Sequence, residues 1–72
     1  MDIPEFKGTI KKYRDIRGIR TQEQLRSHTD VGSNTTFSKY MREPDLMPVR
    51  VMEQIFKALN VPYEDRRKCL GI

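Results

Sequence analysis

Tryptophan is absent from this chain of 72 residues, cysteine occurs once, and no apolar run approaches the length that spans a bilayer. Each absence removes a class of protein. A single cysteine, Cys69, excludes an internal disulfide framework and any cysteine-based metal cluster, and it fits a reducing compartment; a disulfide between two chains stays open. Three Phe and three Tyr are the whole aromatic complement, enough for one small core but not for an enclosed substrate pocket. The opening MDIPEFKG carries no apolar signal segment, so the expected location is cytoplasmic, with no membrane partner. No glycine-rich phosphate loop and no clustered metal ligands occur, the carboxylates are scattered, and the one histidine, His28, has no nucleophile or second ligand at a suggestive spacing. The chain is therefore not expected to be an enzyme or to need a cofactor.

What the chain does have is charge, unevenly placed. The formal net charge is +4. Residues 7 to 42 hold nine Lys or Arg against three acids, Asp15, Glu23 and Asp30, whereas residues 43 to 72 hold five of each. Positive charge gathered in one half points to a polyanion such as nucleic acid, although a solubilising surface has the same composition.

Capping signals divide the chain into short helices, with no strand pattern, repeat or dividing linker. Asp2 with Glu5 and Pro4, and Gly18 at the exit, bracket a first helix over 3 to 17, with Ile3, Phe6, Ile10, Tyr13 and Ile16 at helical spacing. Thr21 with Gln24 forms a second capping box, so a second helix opens at Gln22, with Leu25 and Thr29 inward. Asp30 and Gly32, which tolerate left-handed backbone, are expected to end it. Ser33 caps a third helix over 34 to 42, stopped by Glu43-Pro44-Asp45. Pro48 opens a fourth, over 48 to 59, with Val49, Met52, Ile55, Phe56 and Leu59 as its inner stripe and Asn60 as a left-handed exit. Val51 and Ala58 fall outside that stripe, as a second patch that packs under the last helix or serves a dimer contact. Pro62 opens the last helix, over 62 to 70, with Tyr63, Cys69 and Leu70 as its apolar residues. The methionines at 41, 47 and 52 are core filling, and Arg66-Arg67-Lys68 is a solvated face. The expected fold is all-α, one compact bundle of four to five short helices.

The third helix has two faces of different chemistry. With Phe37 at the inward pole, Met41 lies about 40° away and Tyr40 about 60° on the other side at 100° per residue. Thr35, Lys39 and Arg42 fall about 140° to 160° away and Ser38 about 100° away. The outward face is thus two cations and two small hydroxyls, able to reach base edges and phosphates in a major groove. An ordinary solvated face has the same composition.

The segments R-D-I-R-G-I at 14 to 19, T-Q-E-Q-L at 21 to 25, T-D-V at 29 to 31, T-T-F-S-K at 35 to 39 and K-A-L-N-V at 57 to 61 follow one another in a familiar order. No single piece is specific, but together they resemble the helix-turn-helix domain of the Cro and phage-repressor (XRE) family over about residues 10 to 61. The resemblance implies a lambda-repressor-like bundle in which the third helix enters the major groove and the second crosses the backbone. It implies a DNA-binding set of Gln22, Ser33, Asn34, Thr35, Ser38, Lys39 and Arg42. Gln22 would meet a phosphate; Asn34, Thr35 and Ser38 would read bases, Asn34 by a bidentate pair with adenine; Lys39 and Arg42 would hold phosphates or reach a guanine. The expected partners are double-stranded DNA, a second copy of the chain, and RNA polymerase or another regulator, in a role of repressor or activator. The sequence departs from the family at Arg26, where a small residue is usual, at Asp30, where glycine is usual, and in a turn one residue longer. On those departures rests the alternative: a protein-interaction module on the same fold, an antirepressor or inhibitor that does not bind DNA.

Overall fold

A computed structural model describes residues 1–72. The chain is entirely helical: α1 (Ile3–Arg17), α2 (Gln22–Arg26), α3 (Asn34–Arg42), a 3-10 turn (Pro44–Leu46), α4 (Val49–Leu59) and α5 (Tyr63–Leu70). Its radius of gyration, 11.0 Å, matches the roughly 11 Å of a compact chain this long. No helix is long and apolar enough to cross a membrane.

Local chemistry accounts for the boundaries. The Asp2 carboxylate accepts from the Glu5 amide, Thr21 and Gln24 form a reciprocal capping box, and Ser33 Oγ accepts from the Thr36 amide. Gly18 and Asn60 adopt the left-handed conformation that releases the chain from α1 and α4, at φ 73° and 50°. Pro48 and Pro62 lie one residue outside the helices they were expected to begin. Each is extended, and each offers its carbonyl to the first turn, to Met52 N and Arg66 N.

α2 is shorter than its pattern suggests. It ends at Arg26, because Ser27 and Thr29 turn their hydroxyls back onto the carbonyls of Gln24 and Arg26 and replace the next helical turn with side-chain bonds. Neither Asp30 nor Gly32 is left-handed. The turn to α3 is instead fastened to α4. The Asp30 amide donates to Gln54 Oε1 at 3.1 Å, its carboxylate meets Arg50 Nε at 2.6 Å, and Val31 is buried.

One apolar cluster draws on every helix: Phe6, Ile10 and Tyr13 from α1, Leu25 from α2, Phe37 from α3, a stripe of α4, and Cys69 from α5. The Phe6 and Phe56 rings pack at 6.0 Å, tilted by 55°. α4 is the central element, and this corrects its expected inner face. Val51 is fully buried and Val49 is 70% exposed. Val51 looks toward the α2–α3 turn, where it lines a depression with Val31, Thr36 and Tyr40. Its burial takes Val51 out of the expected second patch, whose other member, Ala58, is half-buried against the core. Val49, in the first turn, is left beside a groove with Tyr63, Leu70 and Ile72. Ile16 is also exposed, since it falls just past the stripe that ends at Tyr13. Tyr63 lies on the surface, with the Arg67 guanidinium over its ring.

α1 and α5 are joined by polar contacts as well as packing. Asp2 N donates to Cys69 O at 3.0 Å, and the Tyr13 hydroxyl donates to the Asp65 carboxylate. That bond is the main cause of a Tyr13 phenol raised above its ordinary value of 10.0, with burial and the Asp65 charge adding to it and Arg17 opposing. Burial likewise pushes the Cys69 thiol up.

Candidate nucleic-acid interface

α3 is seated by Phe37, which is buried, with Tyr40 and Met41 half-buried beside it. Its opposite side is open. Thr35, Lys39 and Arg42 are exposed, and none of their side chains has a hydrogen-bond or ion-pair partner within the chain. Ser33 and Asn34 are exposed at the start of the helix, and Ser38 is half-buried at its flank.

Two of the sequence-derived residues are joined directly. Gln22, first residue of α2, donates from Nε2 to Ser38 Oγ at 2.7 Å. This fixes the start of α2 against the middle of α3, and the Ser38 hydroxyl proton and the Gln22 carbonyl oxygen have no other partner within the chain. Beside Gln22 lies a shallow depression between α1 and the end of α3, bordered by Lys7, Lys11, Arg14, Met41 and Pro44 and by no acid. Lys7, Lys11 and Arg14 thus extend the basic surface from α3 across the start of α2 to α1. In the sequence these three enter only through the excess of positive charge over residues 7 to 42. Their spacing of four and then three residues, which places all three on one face, was the available signal.

Asn34 is not free in the way a base-reading carboxamide was expected to be. Its Oδ1 accepts from Arg26 Nε at 2.6 Å, while Arg26 Nη1 donates to the Val31 carbonyl at 2.9 Å and Nη2 stands 3.9 Å from Glu23. This arginine stands where the resembled family usually has a small residue. It crosses the turn and clasps both of its ends, with its side chain only 22% exposed.

Lysines and arginines divide the work. Arg14 donates to the carbonyls of Ile19 and Arg20, Arg17 to those of Leu59 and Asn60, and Arg66 to that of Val61. Arg26 and Arg50 fasten the turn, and Arg67 lies on Tyr63. The lysines make no such bonds; only Lys12 contacts an aromatic ring, that of Tyr13. Planar guanidinium groups suit paired carbonyls, whereas ammonium groups remain hydrated point charges. The mobile positive charge of this surface is therefore mostly lysine, with Arg42 and Arg20 added.

Comparison of the chain with protein-family models, with curated proteins and with solved structures finds no match in any of the three. The reading of the surface rests on its own geometry.

Proposed function

We propose that the protein is a sequence-specific double-stranded DNA-binding regulator of transcription, in which α2, the turn and α3 act as a helix-turn-helix unit and α3 enters the major groove. The observation that carries this reading is the Gln22–Ser38 pair, which joins α2 to α3 beside a depression bordered by Lys7, Lys11 and Arg14 and by no acid, with Lys39 and Arg42 exposed and unpaired on α3. A groove-entering helix needs small polar groups where bases are met and cations where phosphates flank them. α3 offers Thr35 and Ser38 for the first purpose and Lys39 and Arg42 for the second. Gln22 stands at the first turn of α2, whose free amides and positive end favour a phosphate. The resemblance in sequence to the Cro and phage-repressor family supports the same assignment. Regulation would follow from occupancy of an operator, by blocking polymerase or by touching it.

The test is selection of bound duplexes from a random pool at two salt concentrations. An inverted repeat is the expected product, giving a homodimer and its half-site spacing together. Affinity should fall steeply with salt, with a slope set by the phosphates neutralised. Absence of both enrichment and salt-sensitive binding would retire the DNA reading. It would favour the second one, a protein-interaction module, to which the engagement of the Asn34 oxygen by Arg26 lends its one structural argument.

A further inference from the structure

Arg26 clasps the turn between α2 and α3. Its bond to Asn34 also decides what α3 can present at its N-terminal end, the part of a groove-entering helix that meets base edges. A guanidinium can only donate, so the carboxamide group opposite it must present its oxygen to Arg26 and turn its NH2 away. The two groups lie on different elements, eight residues apart, and the 2.6 Å bond is backed by the Val31 carbonyl, which holds the same guanidinium from the other side. Asn34 is itself exposed. The outward chemistry of this asparagine is therefore two N–H donors.

A free asparagine pairs with adenine by accepting from N6 and donating to N7 at once. That arrangement is disfavoured here. The Asn34 oxygen retains a second lone pair, but a fixed cation lies beside it, and the N6 amino group of adenine would have to approach that cation hydrogen first. Guanine presents two acceptors, O6 and N7, to the same groove. Both suit the outward NH2, and both are attracted by the positive charge behind it. A carboxamide polarised by a charged donor is also a better donor in turn.

The geometry points to Arg26 as the specificity-determining residue of the interface: by occupying Asn34 Oδ1 it converts Asn34 from an adenine reader to a guanine reader. The inference rests on the DNA-binding reading of α3 and names the base edge that surface takes. Arg26 acts through Asn34 and need not touch DNA.

The experiment repeats the duplex selection with four proteins: the unaltered chain, Asn34→Ala, Arg26→Ala and Asn34→Asp, each checked for folding by thermal melting. The base position read by Asn34 is the one whose preference disappears in Asn34→Ala. In the unaltered protein that position should be guanine, favoured about tenfold or more over adenine. In Arg26→Ala the freed oxygen should move the preference to adenine while the other positions stay as they were. Asn34→Asp guards against an Arg26→Ala protein that fails to fold, because a carboxylate keeps and strengthens the bond to Arg26. Its outward oxygen is an acceptor, so the same position should change to cytosine, whose N4 amino group donates. A base other than guanine at that position, no position responding to Asn34→Ala, or guanine retained in a folded Arg26→Ala or Asn34→Asp would each overturn the inference while leaving DNA binding intact. A pool with no enriched duplex at either salt would sink the inference together with the reading beneath it.

Discussion

The half of the molecule built from α1, α4 and α5 and the half built from α2, its turn and α3 are held together by different forces. In the first, aliphatic and aromatic side chains from three helices interlock, and Phe6 stacks against Phe56. In the second, Leu25, Val31 and Phe37 are the buried anchors, and position is otherwise set by polar clasps: Gln22 to Ser38, Arg26 to Asn34 and Val31, Asp30 to Gln54 and Arg50. Apolar burial is strong but indifferent to direction, whereas hydrogen bonds add little net stability and constrain orientation closely. The core is thus built for stability, and the α2–α3 surface for a fixed orientation.

That contrast can be broken most severely at the point where the halves meet. Phe37→Ala should cost about 3–5 kcal/mol, against a total of roughly 4–11 kcal/mol for a chain of this size, and Phe56→Ala should cost a similar amount. Urea unfolding measures both. Undiminished stability in Phe37→Ala would mean that α3 is not part of the cooperative unit. A milder effect is expected from Gln22→Ala, about 0.5–1.5 kcal/mol in the same assay, with DNA affinity reduced by more than the stability change explains. An equal loss at Phe56 and Gln22 would erase the distinction between the two halves.

On the surface, Lys39→Ala and Arg42→Ala should leave the melting temperature within a few degrees and weaken binding to every duplex. Each should flatten the dependence of log affinity on log salt by about one unit, as read from titrations at several salt concentrations. Thr35→Ala should instead weaken the selected site more than random duplex; equal losses would remove Thr35 from the base-reading set.

The smallest effect is expected in the scaffold and only in alkali. The Tyr13 phenol is raised above 10.0 in the folded protein because it donates to Asp65, so the folded state holds its proton more tightly than the unfolded chain. The stabilisation is therefore complete below about pH 10 and is lost as the pH climbs through the raised value. Tyr13→Phe should lack that alkaline decline. Denaturant midpoints measured from pH 8 to 11 would reveal it, and parallel curves for the two proteins would rule it out.

Much of this was legible in the sequence, for a local reason. The caps at Asp2, Thr21 and Ser33 and the exits at Gly18 and Asn60 act within one helical turn, so they can be read from neighbours a few residues away. The inward pole of α3 was legible too, since Phe37, Tyr40 and Met41 fall within about 100° of arc around Phe37. The inversion of Val49 and Val51 was not. Periodicity places both valines on α4, but which side is buried depends on α4 being enclosed from two directions, by α1 and α5 and by the α2–α3 turn. The early end of α2 was hidden because hydroxyl side chains replaced a helical turn that the pattern alone would have continued. In the candidate site, outward Thr35, Lys39 and Arg42 follow from angle. The engagement of Asn34 by Arg26 does not, since it spans a turn whose path no local pattern defines.

The arginine bonds to backbone carbonyls bear on how this protein tolerates change. Exchanging arginine for lysine keeps the formal charge at +4 and would count as neutral in any inventory of charged residues. At positions 14, 17, 26 and 66 it would not be neutral. The Arg17 side chain bonds two carbonyls at the C-terminal end of α4, and a lysine brings one compact ammonium to the same place. The chain thus carries two kinds of positive residue under one sign. Net charge alone misjudges which of them a mutational drift can alter freely.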